Sequence, residues 1–174
     1  MKDLHLIFAG FGGQGVLFAA KVMAYLGMLE GKEISWLPSY GPEMRGGTAN
    51  CSVCISDDAI GSPLVTEPNV LVAMNLPSLE KFIGDVVPGG MVFVDSSLVG
   101  KKVDRKDVTV FYVPATKLAE ENGMKGLGNM VLVGKVQRET GFSSAARLDE
   151  AIQKSIPPQK QDMLALNRKA LSLG

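Results

Sequence analysis

Apolar residues fall along this chain in two spacings, and the alternation between them sketches a fold. Unbroken runs at Leu6-Ile7-Phe8-Ala9, Val70-Leu71-Val72-Ala73-Met74 and Met91-Val92-Phe93-Val94 are too short for helices and read as strands buried on both faces. Further strands are expected around 33–37, over 48–56 and over 108–113. Elsewhere the spacing is helical: Val16, Ala19, Ala20, Met23 and Leu26 recur at three and four residues, as do Leu148, Ile152 and Ile156. Helices are therefore expected from residue 16 and over 79–87, 116–121, 129–140, 145–155 and 162–173. The glycines of 26–32 suit the end of the first helix, and Asn122-Gly123 suits the end of the third. Strands that alternate with helices and give way to helices at the end predict an α/β sandwich.

At the first strand-to-helix junction stand Gly10, Gly12, Gly13, Gln14 and Gly15, with Gly10, Gly12 and Gly15 at the G-x-G-x-x-G spacing. Such glycines allow a tight turn, close packing of helix on strand, and approach of an anion to the helix amino terminus. A tight βα turn without any ligand is the alternative, less favoured reading. A dinucleotide site also asks for an acid at the end of the second strand, where this chain has Trp36-Leu37-Pro38-Ser39 instead. The pattern implies a Rossmann-like three-layer sandwich with a mostly parallel sheet, an appended β-hairpin and a helical C-terminus, as one domain over 1–174.

The second strand runs into Pro38-Ser39-Tyr40-Gly41-Pro42-Glu43-Met44-Arg45-Gly46-Gly47-Thr48, a shaped loop on the strength of its prolines and glycines. In a parallel unit it leaves the same edge as the glycine turn, so two binding loops share one rim. The Arg45 guanidinium suits a carboxylate or phosphate, and Tyr40 offers a ring or a hydroxyl. The same Tyr40, Met44 and Arg45 also suit docking on another chain, which is the preferred reading. Asp57-Asp58 offers a turn from 48–56 into 59–63, so a hairpin is expected there, with Pro63 on an edge arm. Asn75 ends the strand over 69–75 and either caps the next helix or faces the rim.

Composition narrows the chemistry. The 174 residues carry 18 basic and 18 acidic side chains, so charge argues against nucleic acid or an anionic membrane as partner. No apolar run approaches the roughly 20 residues of a membrane span, and a cytoplasmic protein is expected. Cys51 and Cys54 are the only cysteines; three apart on a strand, they point to opposite faces and read as buried structural thiols. His5 is the single histidine and reads as structural. No nucleophile with a base, carboxylate pair or ligand cluster stands out, so the chain looks like part of a larger machine.

The glycine turn, the segment 38–51 and Asn75-Leu76-Pro77-Ser78, in this order and spacing, closely resemble the gamma subunit of 2-oxoacid:ferredoxin (or acceptor) oxidoreductases over about the whole chain. The resemblance implies an enzyme complex that decarboxylates a 2-oxoacid on thiamine diphosphate with Mg2+, passes electrons through iron–sulfur clusters to ferredoxin or a similar acceptor, and forms an acyl-coenzyme A. It implies alpha and beta partners, and a delta chain, that carry those cofactors, with none bound by this chain alone, and a homodimer when isolated. The wording of 40–47 looks most like the 2-oxoglutarate or branched-chain types, and 2-oxoglutarate is favoured. The implied site residues are Gly10, Gly12, Gly13, Gln14, Gly15, Tyr40, Gly41, Glu43, Met44, Arg45, Gly46, Gly47 and Asn75, as cofactor-binding or subunit-interface positions, with no catalytic or metal-binding residue. A stand-alone nucleotide-binding or sensor domain is the alternative.

Overall fold

The structure is a computed structural model that describes residues 3–39 and 48–174. Six strands form one mixed sheet in the order β2-β3-β1-β4-β5-β6. β1 (Leu4–Phe11) leads into α1 (Val16–Leu29), then come β2 (Glu33–Ser39), β3 (Thr48–Ser56) and β4 (Val70–Ala73). α2 (Leu76–Phe82) follows with a 3-10 turn (Ile83–Asp85), then β5 (Met91–Asp95) and β6 (Thr109–Val113). The chain then becomes helical: α3 (Ala115–Glu121), α4 (Gly128–Thr140), α5 (Ala145–Ser155), a 3-10 segment (Pro158–Met163) and α6 (Leu164–Leu173).

β1, β4, β5 and β6 are parallel, whereas β3 runs antiparallel to both β1 and β2. The α/β architecture and helical C-terminus match the expectation, but the hairpin is made differently. β3 pairs with β2 through the connection after Ser39, not with 59–63. Both hydrogen-bonding edges of β3 are taken, by β1 and by β2, so no further arm can pair with it. Among the described residues no strand lies between Ser56 and Val70; that segment crosses the sheet face and buries Val65, whose N–H donates to Ser52 Oγ at 3.5 Å. α2 also begins three residues earlier than the apolar spacing suggests, at Leu76, because Asn75 and Pro77 set its start.

Alternate residues of the central strands feed two cores, which is why their sequences are apolar without a break. Leu6, Phe8, Cys51, Val53, Val72 and Phe93 face α1, α4, α5 and α6, with Leu148 and Ile152 of the predicted α5 stripe among the contacts. Ile7, Ala9, Cys54, Leu71, Val92 and Val94 face α2 and the crossing segments. α1 lies close to β2 and β3, and Gly27, inside that helix rather than at its end, faces Ile34 and Ile55. His5 is exposed at the start of β1.

The two thiols are free, buried and on opposite faces, as their spacing requires. Burial pushes the Cys51 thiol up to about 12 from an ordinary 9.0, a backbone hydrogen bond at Leu37 pulling weakly the other way. A thiol raised in the folded state leaves stability untouched below pH 9 and removes it as pH rises from 9 toward 12, where only the unfolded chain ionises. Urea midpoints measured between pH 8 and about 10.5 should therefore fall more steeply for the wild type than for Cys51→Ala; parallel slopes would contradict the buried, protonated thiol.

Candidate functional site at the carboxyl edge of the sheet

β1 and β4 are neighbours and parallel, yet the chain leaves them toward opposite faces: α1 packs in the first core, while α2 contributes Leu79 to the second. That divergence makes the crevice beyond Phe11 and Ala73 a topological switch point, where open α/β sheets place their ligands.

The glycine turn closes this crevice from the β1 side. Gly13 and Gly15 take left-handed backbone angles, with φ of 92° and 73°, and Gly15 immediately precedes α1. Gly15 also has no room for a side chain, because a Cβ there would run into the Asn129 carboxamide. Asn129 Nδ2 donates to Gly15 O at 3.0 Å, which ties the start of α4 to the turn. A Cβ on Gly10 would lie 2.6 Å from Gln14 Oε1 and 3.0 Å from Met74 Cβ. No side chain caps α1 and no acid lies in its first turn, so its positive end remains without a built-in counter-charge.

Gln14 folds back over the crevice. Its Oε1 accepts from Phe11 N at 2.6 Å and its Nε2 donates to Met74 O at 3.1 Å, so one amide clamps the ends of β1 and β4 together. Asn75 acts as the α2 cap rather than as a rim group: Oδ1 accepts from Ser78 N at 2.8 Å, and the residue is only 2% exposed. Its Nδ2, buried beside the rim, has no hydrogen-bond partner among the described residues.

Several rim residues were not singled out by motif. A cavity of about 200 Å³ is lined by Gly13, Gln14, Met74, Leu98, Thr116, Glu120 and Lys125. Asp95, fully buried at the end of β5, accepts from Thr116 Oγ1 at 2.6 Å and from Ser97 N at 3.1 Å, fixing the turn after β5 to the first turn of α3 beside that cavity. The signal for these positions is topological: they follow the carboxyl ends of parallel strands. Lys125 and Glu120 belong to no motif. Phe11, Leu76 and Leu98 stand 39%, 37% and 49% exposed around the same edge.

The predicted Tyr40, Gly41, Glu43, Met44, Arg45, Gly46 and Gly47 lie outside the described residues. Their flanks do lie at this edge: the chain leaves β2 at Ser39, opposite Asn50, and re-enters at Thr48, opposite Phe11. Gly10, Gly12, Gly13, Gln14, Gly15 and Asn75 are thus gathered at one border. Among the described residues no group of three His, Cys, Asp or Glu side chains forms a metal site, and no helix is long and apolar enough to cross a membrane.

The family model for pyruvate ferredoxin/flavodoxin oxidoreductase matches residues 5–174. The chain belongs to that family. Among relatives, it is 38% identical over 168 residues to the 2-oxoglutarate synthase subunit KorC of Methanothermobacter marburgensis, covering 92% of this chain and 89% of that one. It is 42% identical over 133 residues to the ketoisovalerate oxidoreductase subunit VorA of the same organism, but there it covers 76% of itself and spans only 28% of the relative. Its fold matches the gamma subunit of a keto/oxoacid ferredoxin oxidoreductase from Geobacter sulfurreducens with a TM-score of 0.82 at 28% identity, covering 99% of this chain and 95% of that one. The 2-oxoglutarate:ferredoxin oxidoreductase of Magnetococcus marinus shares the fold, with a TM-score of 0.86 at 24% identity, through 30% of its chain. The family member is thus a gamma-type chain that matches small separate subunits nearly end to end and longer chains in part.

Proposed function

We propose that this chain is the non-catalytic gamma subunit of a complex that oxidatively decarboxylates a 2-oxoacid to its acyl-coenzyme A, and that its carboxyl edge is the face other subunits complete. The observation that carries this reading is the rim itself: a switch-point crevice ringed by exposed Phe11, Leu76 and Leu98 with no reactive pair or metal cluster beside it among the described residues. The thiamine diphosphate and the iron–sulfur clusters belong on partner chains in this account. Cys51 and Cys54 face opposite sides of the sheet and cannot converge on one cluster.

Coenzyme A finds at most a partial seat here. The 200 Å³ cavity, with Lys125, Glu120, Thr116 and Gly13 in its lining, suits a small polar portion of such a molecule. The remaining contacts fall to partner chains. Of the oxoacids, 2-oxoglutarate is supported by the near end-to-end similarity to KorC.

The test is reconstitution with alpha and beta chains of such a complex from the same source. 2-Oxoacid- and coenzyme A-dependent reduction of an acceptor should require this chain, and 2-oxoglutarate should outperform 2-oxoisovalerate. Arg45→Ala should weaken assembly or raise the KM for coenzyme A by about tenfold, corresponding to about 1.4 kcal/mol, without shifting the chain's own melting temperature. An isolated chain that binds NAD, ATP or coenzyme A at micromolar concentration and never associates with partners would overturn the reading in favour of a sensor domain.

A further inference from the structure

The end of the sheet opposite the rim carries a cavity of about 540 Å³, between the strands and the crossing segment that contains Val65. That is within the roughly 300–1,000 Å³ of small-molecule sites. Ile60, Leu64, Val65 and Val87 supply apolar wall, and His5, Cys54 and Asn69 line it from the sheet.

Strand pairing sets a nucleophile beside a base on that lining. His5 lies opposite Cys54 in the β1–β3 register. His5 turns both of its backbone groups the other way: its N–H donates to Asn69 Oδ1 at 2.8 Å, and its carbonyl accepts from Asn69 N at 3.0 Å. His5 and Cys54 are therefore a non-hydrogen-bonded cross-strand pair, the kind whose side chains come closest, with Cβ atoms about 4.5–5.5 Å apart. The imidazole has no hydrogen-bond partner among the described residues, and the thiol has only a long contact, Cys54 Sγ donating to Ser62 O at 3.9 Å. Cys54 keeps 5% of its surface open on this cavity, whereas Cys51, on the other face, keeps none and is held protonated by burial.

Charge selects among thiol-reactive molecules. Glu67 is the one acid on the wall, and no lysine or arginine lines it. Lys32 is paired with Asp57, and Arg105, which donates to Val86 O, is held by Asp107. Asp3, which accepts from Asp57 N, and Asp58 add negative charge at the same end. A cation is therefore favoured here over an anion.

We propose that Cys54 is a covalent thiolation site for small cationic disulfides, with His5 as its base and Glu67 drawing the cation. His5 accepts the Cys54 proton, the thiolate attacks one sulfur of the disulfide, and the old S–S bond breaks as the new one forms. The departing thiolate takes the proton back from His5, so the protein thiol is oxidised and half of the disulfide is reduced with no other reactant. The site is independent of the rim and stands or falls apart from the subunit reading.

Cystamine is the probe, and intact mass with peptide mapping is the readout. At about pH 7 the full-length chain should gain one half of cystamine, at Cys54 and not at Cys51. His5→Gln should slow the reaction about tenfold, and its rate should climb more steeply between about pH 6 and 8 than that of the wild type, because the thiol then ionises without a neighbouring base. With each rate divided by that of a free model thiol, cystamine should outpace 2-hydroxyethyl disulfide about threefold, and Glu67→Gln should erase that preference. Cys54→Ser should gain nothing; should that variant fail to fold, mapping on the wild-type chain tests the same point. No adduct, an adduct at Cys51, an unchanged rate and pH profile for His5→Gln, or a preference for cystamine that survives in Glu67→Gln overturns the proposal.

Discussion

Valine in place of Gly15 is expected to destabilise the fold by about 2–5 kcal/mol, from about 1–2 for a left-handed backbone and about 1–3 for overpacking. The residue holds a φ of 73° and has the Asn129 carboxamide against it, so a branched side chain meets both a backbone penalty and an occupied space. The loss spreads to α4, because Asn129 Nδ2 can no longer reach Gly15 O. Urea denaturation should report the fall, and the thermal midpoint should drop by roughly 10 °C at the few degrees per kcal/mol that apply to chains of this size. Gly61→Val is the control: nothing lies within 4 Å of a Cβ there, so its effect should stay within about 0.5 kcal/mol. Equal effects at the two positions would mean that the glycine turn is not held as described.

Phe93→Ala should cost about 3–5 kcal/mol, the range for deleting a buried aromatic ring. Phe93 is fully buried in β5 and stacks on Phe111 of β6 with centroids 4.8 Å apart and planes 15° from parallel. The expected loss combines the transfer of the ring to water with the cavity it leaves beneath the helical layer. Phe11, 39% exposed at the rim, gives the contrast. Phe11→Ala should cost the isolated chain under about 1 kcal/mol, since little area is lost from its core, yet weaken association with partner subunits. Denaturation curves for both variants, read beside a binding assay, separate a core role from a rim role.

What the amino-acid pattern could reveal follows from how local each feature is. β1, the glycine turn and α1 are contiguous, and the change from unbroken apolar run to helical spacing marks all three. The facing of Cys51 and Cys54 follows from strand alternation alone. The partner of β3 does not: Asp57-Asp58 and Gly61 carry turn chemistry as good as a hairpin's, and periodicity says nothing about which strand pairs with which. Asn75 was open between cap and rim because both need the same short polar side chain, and the Ser78 N bond decides for the cap. Gln14 looked like a ligand-facing group in the turn. Its clamp on Met74 O spans 60 residues and the Asn129 tie to Gly15 spans 114, distances at which sequence spacing carries no signal.

The carboxyl edge of the sheet carries exposed Phe11, Leu76 and Leu98, and the opposite end carries His5 and the 57–69 crossing with Leu64. The most direct measurement is the affinity of this chain for the alpha and beta subunits of the proposed complex after placing one aspartate at each end. Leu98→Asp, at the carboxyl edge, should weaken association by at least about tenfold with an unchanged melting temperature. Leu64→Asp, 58% exposed beside the cavity that contains His5, should bind as the wild type does. Loss of association with Leu64→Asp and none with Leu98→Asp would place the partners at the wrong end of the sheet and contradict the account.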